Sequence, residues 1–432
     1  MTLRTRLLVG LGWLVSLLLL VLAANLRDPH LLPARSFALP VLLAAGAIGI
    51  SIWLSVGRRW YCWLGSLLLL LAILLAGWND YRFRDDKTLV LETRNADLQA
   101  LGGHFIVGVG DPRTVEPLIR KGLVAGLFIS ARNVQGQSAE ALRRQIGKWQ
   151  ALRRDAGLPP LIIAADQEGG IVSRLSPPLP KRPPLAALLA TNPAPDALYA
   201  AAFDYGVAQG RELAELGVTL DFSPVVDLKP AQRARLDFHS AIALRAISPD
   251  PQVTTTVALA YVRGLEHSGV RATLKHFPGL GMVPEDTHHF SASLAATVGH
   301  LQDYDWRPFR EIARQTDALI MLGHVKVTAL DAVNPASFSA AVVQKIIREG
   351  WKHDGVLITD DLTMAAAYNQ GLCHATVQAL NAGVDLLLVS YDDEKIYPAL
   401  ACALRALEDG KLSTQRLQQS AQRLARTFAP PK

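Results

Sequence analysis

The segment KHFPGLGMVPEDTHH, Lys275 to His289, sets ammonium, imidazole and carboxylate groups among glycines and prolines directly after an apolar run. Gly279 and Gly281 permit backbone angles closed to other residues, and Pro278 and Pro284 stop a helix, so the spacing predicts an ordered but movable loop. Asp286 and His288 stand two residues apart, near enough for a carboxylate to orient an imidazole and raise its basicity, which is equipment for general acid–base chemistry. Adjacent histidines seldom converge on one ion, which argues against a metal site at Asp286, His288 and His289. No metal and no cofactor is expected.

Groups of this kind need a rigid frame. Short aliphatic or β-branched runs recur at His104 to Val109, Val124 to Ile129, Leu161 to Ala165, Val218 to Phe222, Ala272 to His276, Ala318 to Leu322, Val356 to Thr359 and Val384 to Val389. Amphipathic stretches such as Ser138 to Leu152, Tyr199 to Leu216, Val253 to His267, Ala341 to Glu349 and Ala375 to Ala382 fill the intervals, and Ser413 to Phe428 reads as a last helix. Strand and helix alternating eight times predict an α/β fold, a (β/α)8 TIM-type barrel. In such barrels chemistry sits on loops after the carboxyl ends of the strands. Asp166, Gln167 and Glu168 follow the third run, Asp227 lies beyond the fourth, Lys275 and His276 end the fifth, His324 follows the sixth, and Asp360 and Asp361 follow the seventh. Any one of them reads equally well as a solvated loop charge; their gathering at one rim does not.

Ahead of the barrel, Leu7 to Ala24, Phe37 to Val56 and Trp60 to Trp78 contain no charged side chain, and each run is about the ~20 residues that cross a bilayer. Trp60, Tyr61, Trp63, Trp78 and Tyr81 lie where interfacial aromatics belong. The expected layout is a three-helix transmembrane anchor over 1–80, a polar linker over 81–96 and a catalytic domain over 97–432. Basic residues flank every run, so the charge bias of the loops gives no clear orientation; a short basic amino-terminal tail kept inside, followed by three spans, puts the barrel outside the cytoplasm. A net charge of +6, with no basic stripe interleaved with aromatics, excludes a nucleic-acid partner. Cys373 and Cys402 lie in helical stretches without metal-like spacing and pair only where the fold brings them together, while Cys62 lies within a span.

The loop resembles the KHFPGHGDTxxDSH signature of glycoside hydrolase family 3, in its single-domain β-N-acetylhexosaminidase branch. AADQEGGIVSRL at 164–175, GVTLDFSPVVDL at 217–228, LRAISPDP at 244–251 and GVLITDDLTM at 355–364 agree with it, over roughly Leu101 to Val389. A glycosidase needs an anionic group beneath the anomeric carbon and a proton donor at the leaving oxygen. Asp360 and Asp361 both suit the first role by position; the resemblance assigns it to Asp360 and leaves Asp361 a supporting or helix-capping part. It implies His288, oriented by Asp286, as acid/base, with His289 the neighbouring competitor, and Asp166, Arg174, Arg245, Lys275 and His276 as sugar-binding groups. Arg174 and Arg245 are equally read as structural ion pairs with Glu168 or Asp227.

Leu280, Met282 and Ile247 depart from the family pattern and make the loop more apolar, which suggests altered closure, leaving-group preference or contact with a membrane-near substrate. The implied activity is that of a membrane-bound retaining exo-β-N-acetylglucosaminidase acting on peptidoglycan-type, cell-wall glycans at a bacterial inner membrane. The alternatives are a phosphorylase acting on the same substrates and a catalytically silent envelope carbohydrate-binding protein. The expected partners are a carbohydrate substrate and membrane lipid; the oligomeric state is left open.

Overall fold

The computed structural model describes residues 3–56, 59–93, 95–192, 194–231, 240–283, 285–286 and 290–429. The chain divides into two compact units, Met1–Thr93 and Arg94–Lys432.

The first unit contains three helices, α1 (Leu3–Ala24), α2 (Arg35–Val56) and α3 (Trp60–Glu92). All three are long and apolar enough to cross a membrane, and most of their apolar side chains point outward; Leu7, Leu11, Ile48, Ile52 and Leu74 are more than half exposed. Small residues let the helices approach. A Cβ on Gly65 or Gly12 would lie within 2.8 Å of the Trp53 ring, and one on Gly49 within 2.7 Å of Leu69. Trp53 Nε1 donates to Ser16 Oγ at 3.2 Å, satisfying a polar atom inside an apolar bundle. The polar stretch from residue 81 onward continues α3 as far as Glu92, because no Gly or Pro interrupts it and Arg84 pairs with Asp80 one turn earlier at 2.7 Å.

The second unit is built on eight parallel strands: β1 (Phe105–Gly108), β2 (Gly126–Ile129), β3 (Ile162–Ala165), β4 (Leu220–Asp221), β5 (Thr273–Phe277), β6 (Leu319–Leu322), β7 (Leu357–Asp361) and β8 (Leu386–Val389). Each pairs with its neighbours in sequence, β1 pairs with β8, and single bridges at Leu220–Arg271 and Val225–Lys275 join β4 to β5. The sheet is therefore a nearly closed barrel. Its strands read as continuous apolar runs because both faces are covered. Every second residue turns inward, so Ile162 and Ala164, Leu220 and Phe222, Leu319 and Met321, and Leu386 and Leu388 fill the interior with Ile106, Phe128 and Ile358. The Phe128 and Phe222 rings stack there at 5.5 Å.

The connecting helices start and stop where side-chain chemistry dictates. Asp250 accepts from the Gln252 and Val253 amides ahead of Pro251–His267, and Ser138 accepts from Ala141 N ahead of Ala139–Asp155. Gly217 and Gly383, both at φ 91°, end Pro195–Leu216 and Leu372–Ala382 in the left-handed conformation. The helices Leu372–Ala382 and Ile396–Glu408, one on either side of β8, are joined by a Cys373–Cys402 disulfide with Cα atoms 5.5 Å apart. Cys62 is free and buried.

Ile358 is fully buried at the centre of the barrel. Ile358→Ala is expected to lower the unfolding free energy of the barrel by about 2–5 kcal/mol, read as a lower urea midpoint with unchanged slope.

Candidate active site

Lys275 and His276 stand at the carboxyl end of β5, where the loop motif begins. Lys275 is almost completely buried, and a buried ammonium needs anionic partners. It has two: Asp166 Oδ1 at 2.6 Å and Glu168 Oε1 at 2.7 Å, both from the chain leaving β3. Glu168 is gripped from its other side by Arg245, whose Nε and Nη2 reach Oε2 and Oε1 at 2.8 and 2.6 Å in a two-pronged pair. Burial alone would push the Glu168 carboxyl up, yet the Arg245 guanidinium and Lys275 ammonium hold it down at about 2. Lys275 is raised in turn: burial opposes its charge, and Asp166 and Glu168 outweigh burial. The two cations and Glu168 thus stay ionised side by side, and Asp166, the most exposed of the four groups, faces the mouth with its side chain 24% accessible.

His276 is held separately. Its Nδ1 lies 2.7 Å from Asp227 Oδ2, and its backbone N–H donates to the same carboxylate at 3.1 Å. Nε2 lies 3.5 Å from the donor-only Arg245 guanidinium, so the fitting tautomer carries its proton on Nδ1 and gives it to Asp227. Asp227 also accepts from Leu280 N at 2.7 Å, which pins the start of the loop. Both loop glycines are needed here: Gly279 sits at φ 102°, and a Cβ on Gly281 would lie 2.3 Å from Leu228 O.

Beneath this layer, Asp221 at the end of β4 accepts from Gln167 N at 2.9 Å and Ser223 Oγ at 2.7 Å, with Gln209 and Tyr261 alongside. Burial pushes its carboxyl up to about 7 against those hydrogen bonds. Gln209 also donates to Gln167 O, so the residue between Asp166 and Glu168 is fixed by both backbone groups.

At the end of β7 two adjacent aspartates have different environments. Asp361 is buried and accepts five hydrogen bonds, from Thr363 N and Oγ1, Ser390 N and Oγ, and Tyr391 N, at 2.6–3.1 Å. Its carboxylate fastens the end of β7 to the chain leaving β8. Asp360 is partly exposed, and its Oδ1 accepts from Asp361 N at 2.8 Å. His324 bridges the same region, with Nδ1 2.8 Å from Ser337 Oγ and Nε2 2.9 Å from Asp361 O.

Of the remaining predicted groups, Asp286 is fully buried and accepts from Ser240 Oγ at 3.1 Å. Ser240 O accepts from Arg245 Nη1 at 2.7 Å, so this serine links Asp286 to the charged cluster. His288 and His289 lie outside the described residues. Arg245 forms the structural ion pair with Glu168, whereas Arg174 is exposed and its guanidinium has no hydrogen-bond or ion-pair partner among the described residues. Among the described residues no group of three His, Cys, Asp or Glu side chains could hold a metal. Of the departures in the loop, Leu280 and Ile247 are buried and only Met282, 44% exposed, offers apolar surface. Leu280 therefore does not present itself to a membrane-near substrate.

The model of the glycosyl hydrolase family 3 N terminal domain matches residues 91–427. The chain belongs to glycosyl hydrolase family 3. A curated relative in this family, the beta-hexosaminidase of Stenotrophomonas maltophilia (strain R551-3), is 37% identical over 299 residues, covering 68% of this chain and 83% of its own. The beta-hexosaminidase of Nitrosomonas eutropha is 34% identical over 308 residues, covering 70% of this chain and 85% of its own. Among solved structures, a glycoside hydrolase family 3 beta-N-acetylglucosaminidase from Paenibacillus sp. matches with a TM-score of 0.69 at 30% identity, over 77% of this chain and 62% of that one. A glycosyl hydrolase of the same family from Mycobacterium smegmatis matches with a TM-score of 0.67 at 31% identity, over 78% of this chain and 99% of that one. This family 3 protein is a glycoside hydrolase of the beta-hexosaminidase kind, and a glycan is its substrate.

Sequence reading missed Ser240, which no motif marked, and left the use of Glu168 and Asp227 open. The signal available was the buried cation itself, since Lys275 in a strand demands nearby carboxylates.

Because its carboxyl is held at about 2 in the folded state against an ordinary 4.5, Glu168 stabilises the protein above pH 4.5 and loses that contribution as pH falls through 2. Glu168→Gln is expected to remove this acid limb from a stability–pH curve. At pH 7 it should cost about 3–5 kcal/mol, because two buried cations lose a shared partner.

Proposed function

We propose that this family 3 enzyme is a retaining exo-β-N-acetylglucosaminidase acting on peptidoglycan-type glycans, with Asp360 as nucleophile and His288, oriented by Asp286, as acid/base. The observation that carries the nucleophile assignment is the division of labour at the end of β7. Asp361 is committed to five hydrogen bonds, and Asp360, partly exposed on the same rigid strand end, is the carboxylate left with access to the mouth. Asp360 attacks C1 of the terminal sugar as the C1–O bond to the leaving group breaks, and His288 gives its proton to the departing oxygen. His288 then takes a proton from water, the water oxygen bonds to C1, the Asp360–C1 ester bond breaks, and the sugar leaves with its β configuration. Asp166, held by Lys275, accepts hydrogen bonds from sugar hydroxyls, and Arg174, Arg245 and His276 are assigned to the same sugar. The relatives named for beta-hexosaminidase and beta-N-acetylglucosaminidase activity support the sugar class. Nothing among the described residues favours phosphorolysis or a silent binding role.

The domain layout we propose is a three-span anchor over 1–80 and a catalytic domain over 97–432, joined through 81–96. The three apolar helices support a multi-pass place in a bacterial inner membrane, and the Cys373–Cys402 disulfide supports a catalytic domain on the oxidising, extracytoplasmic side.

Turnover of a chromogenic N-acetylglucosaminide should be abolished by Asp360→Ala and lowered ~10²–10⁴-fold by His288→Ala, with proton NMR showing the β anomer released first. Release of the α anomer, or an active Asp360→Ala enzyme, contradicts the reading. In intact cells Cys373 and Cys402 should resist alkylation until a reductant is added; two freely alkylated thiols in the mature protein contradict the location.

A further inference from the structure

The opposite end of the barrel carries a second concavity, of about 520 Å³, a size typical of small-molecule sites. It lies at the amino ends of β5, β6 and β7, where Arg271, Ala318 and Val356 lead into the strands, and so it is separated from the catalytic mouth by the length of the barrel. Its lining includes the cations Arg271, Arg310, Arg314, Lys352 and Arg426 and only two carboxylates, Asp317 and Asp354. Both carboxylates are already engaged. Asp354 is paired with Arg426 and, at 3.2 Å, with Arg423, and Asp317 lies 3.6 Å from Arg271. The Arg310, Arg314 and Lys352 side chains have no hydrogen-bond or ion-pair partner among the described residues. Arg310 and Arg314 are one helical turn apart, on one face of Arg307–Ala313 and its cap, so their guanidinium groups project to the same wall.

The remaining wall is a built turn. Lys352 is held at φ 54°, a left-handed conformation that a residue with a side chain adopts at a cost, and the His353 ring packs so closely over Gly355 that a Cβ there would lie 2.5 Å from it. Trp351 Nε1 and His353 Nε2 are enclosed in this wall, with no hydrogen-bond partner among the described residues, and keep it compact behind the exposed cations. Burial, with Arg348 nearby, lowers the His353 imidazole to about 4, so the ring adds polarity and not charge.

We propose that this cavity is a binding site for a phosphate-bearing anion, separate from the glycosidase site. Three uncompensated cations, two of them arginines whose forks match paired phosphate oxygens, suit a dianionic phosphate or a diphosphate better than a single carboxylate. The same chemistry is presented by a free phosphorylated metabolite and by a phosphate headgroup.

The test is calorimetric titration of the full chain in a neutral detergent with inorganic pyrophosphate, and in a second arm with dioctanoyl phosphatidic acid. Saturable binding that weakens with added salt is expected, and the arm that binds more tightly identifies the source. Arg310→Gln, Arg314→Gln and Lys352→Gln combined should raise Kd about tenfold or more, with turnover of a chromogenic N-acetylglucosaminide unchanged. Arg143→Gln with Arg144→Gln, on the exposed face of Ala139–Asp155, should leave Kd as it was. Lys352→Gly, which relieves the left-handed backbone while deleting a cation, gives a folded variant in which Kd should still rise. No saturable binding to the unaltered chain in either arm, or the same Kd in the triple and Lys352→Gly variants, overturns the proposal.

Discussion

The buried Lys275–Glu168–Arg245 network is the constraint on which the catalytic end of this protein depends. Taking an ammonium, a guanidinium and a carboxylate out of water is costly, and the cost is offset only while all of them keep their short contacts. That requirement fixes three segments at once: the chain leaving β3, the end of β5 and the helical turn that carries Arg245. It also delivers Asp166, the one member with access to solvent, to the mouth. A second fixture at Asp361 does the same for β7 and β8 by neutral and backbone donors, and leaves Asp360 at the rim. Rigid placement of partly exposed carboxylates by buried polar neighbours is what a glycosidase needs to act on a sugar ring.

The two networks are supported from below and from the side. Asp221 holds both backbone groups of Gln167, the N–H through its own carboxyl and the C=O through Gln209, and Ser240 connects Arg245 to Asp286. The buried charged cluster and the proposed acid/base arm therefore share one serine, although they come from different strand-to-helix connections. The loop between them is tied down at its start by Asp227 and by Trp306 Nε1, which donates to Pro278 O at 3.1 Å.

Much of this was legible from residue order. The eight apolar runs are the eight strands because parallel strands buried on both faces leave few alternatives to Val, Ile and Leu, and the rim residues follow from the polarity of a barrel. Other features depend on contacts distant in sequence. Glu168 reads as one more loop charge until Arg245, 77 residues later, closes on it. Cys373 and Cys402 are 29 residues apart, and only the packing of the two helices that flank β8 in the chain brings them together. The polar segment after residue 80 reads as a linker by its charge, and helix propensity carries α3 through it to Glu92. The basic cavity at the far end was invisible, since its cations come from four separate segments that converge only when the barrel closes.

The central claim is that Asp360, and not its buried neighbour, bonds to the sugar. The most direct measurement is mass spectrometry of peptides from enzyme inactivated with a 5-fluoro N-acetylglucosaminyl fluoride, which slows release of the covalent intermediate. A single glycosyl adduct located on Asp360 is predicted. An adduct on Asp361 or on any other residue, or continued turnover of the reagent without a trapped adduct at any time, contradicts the account.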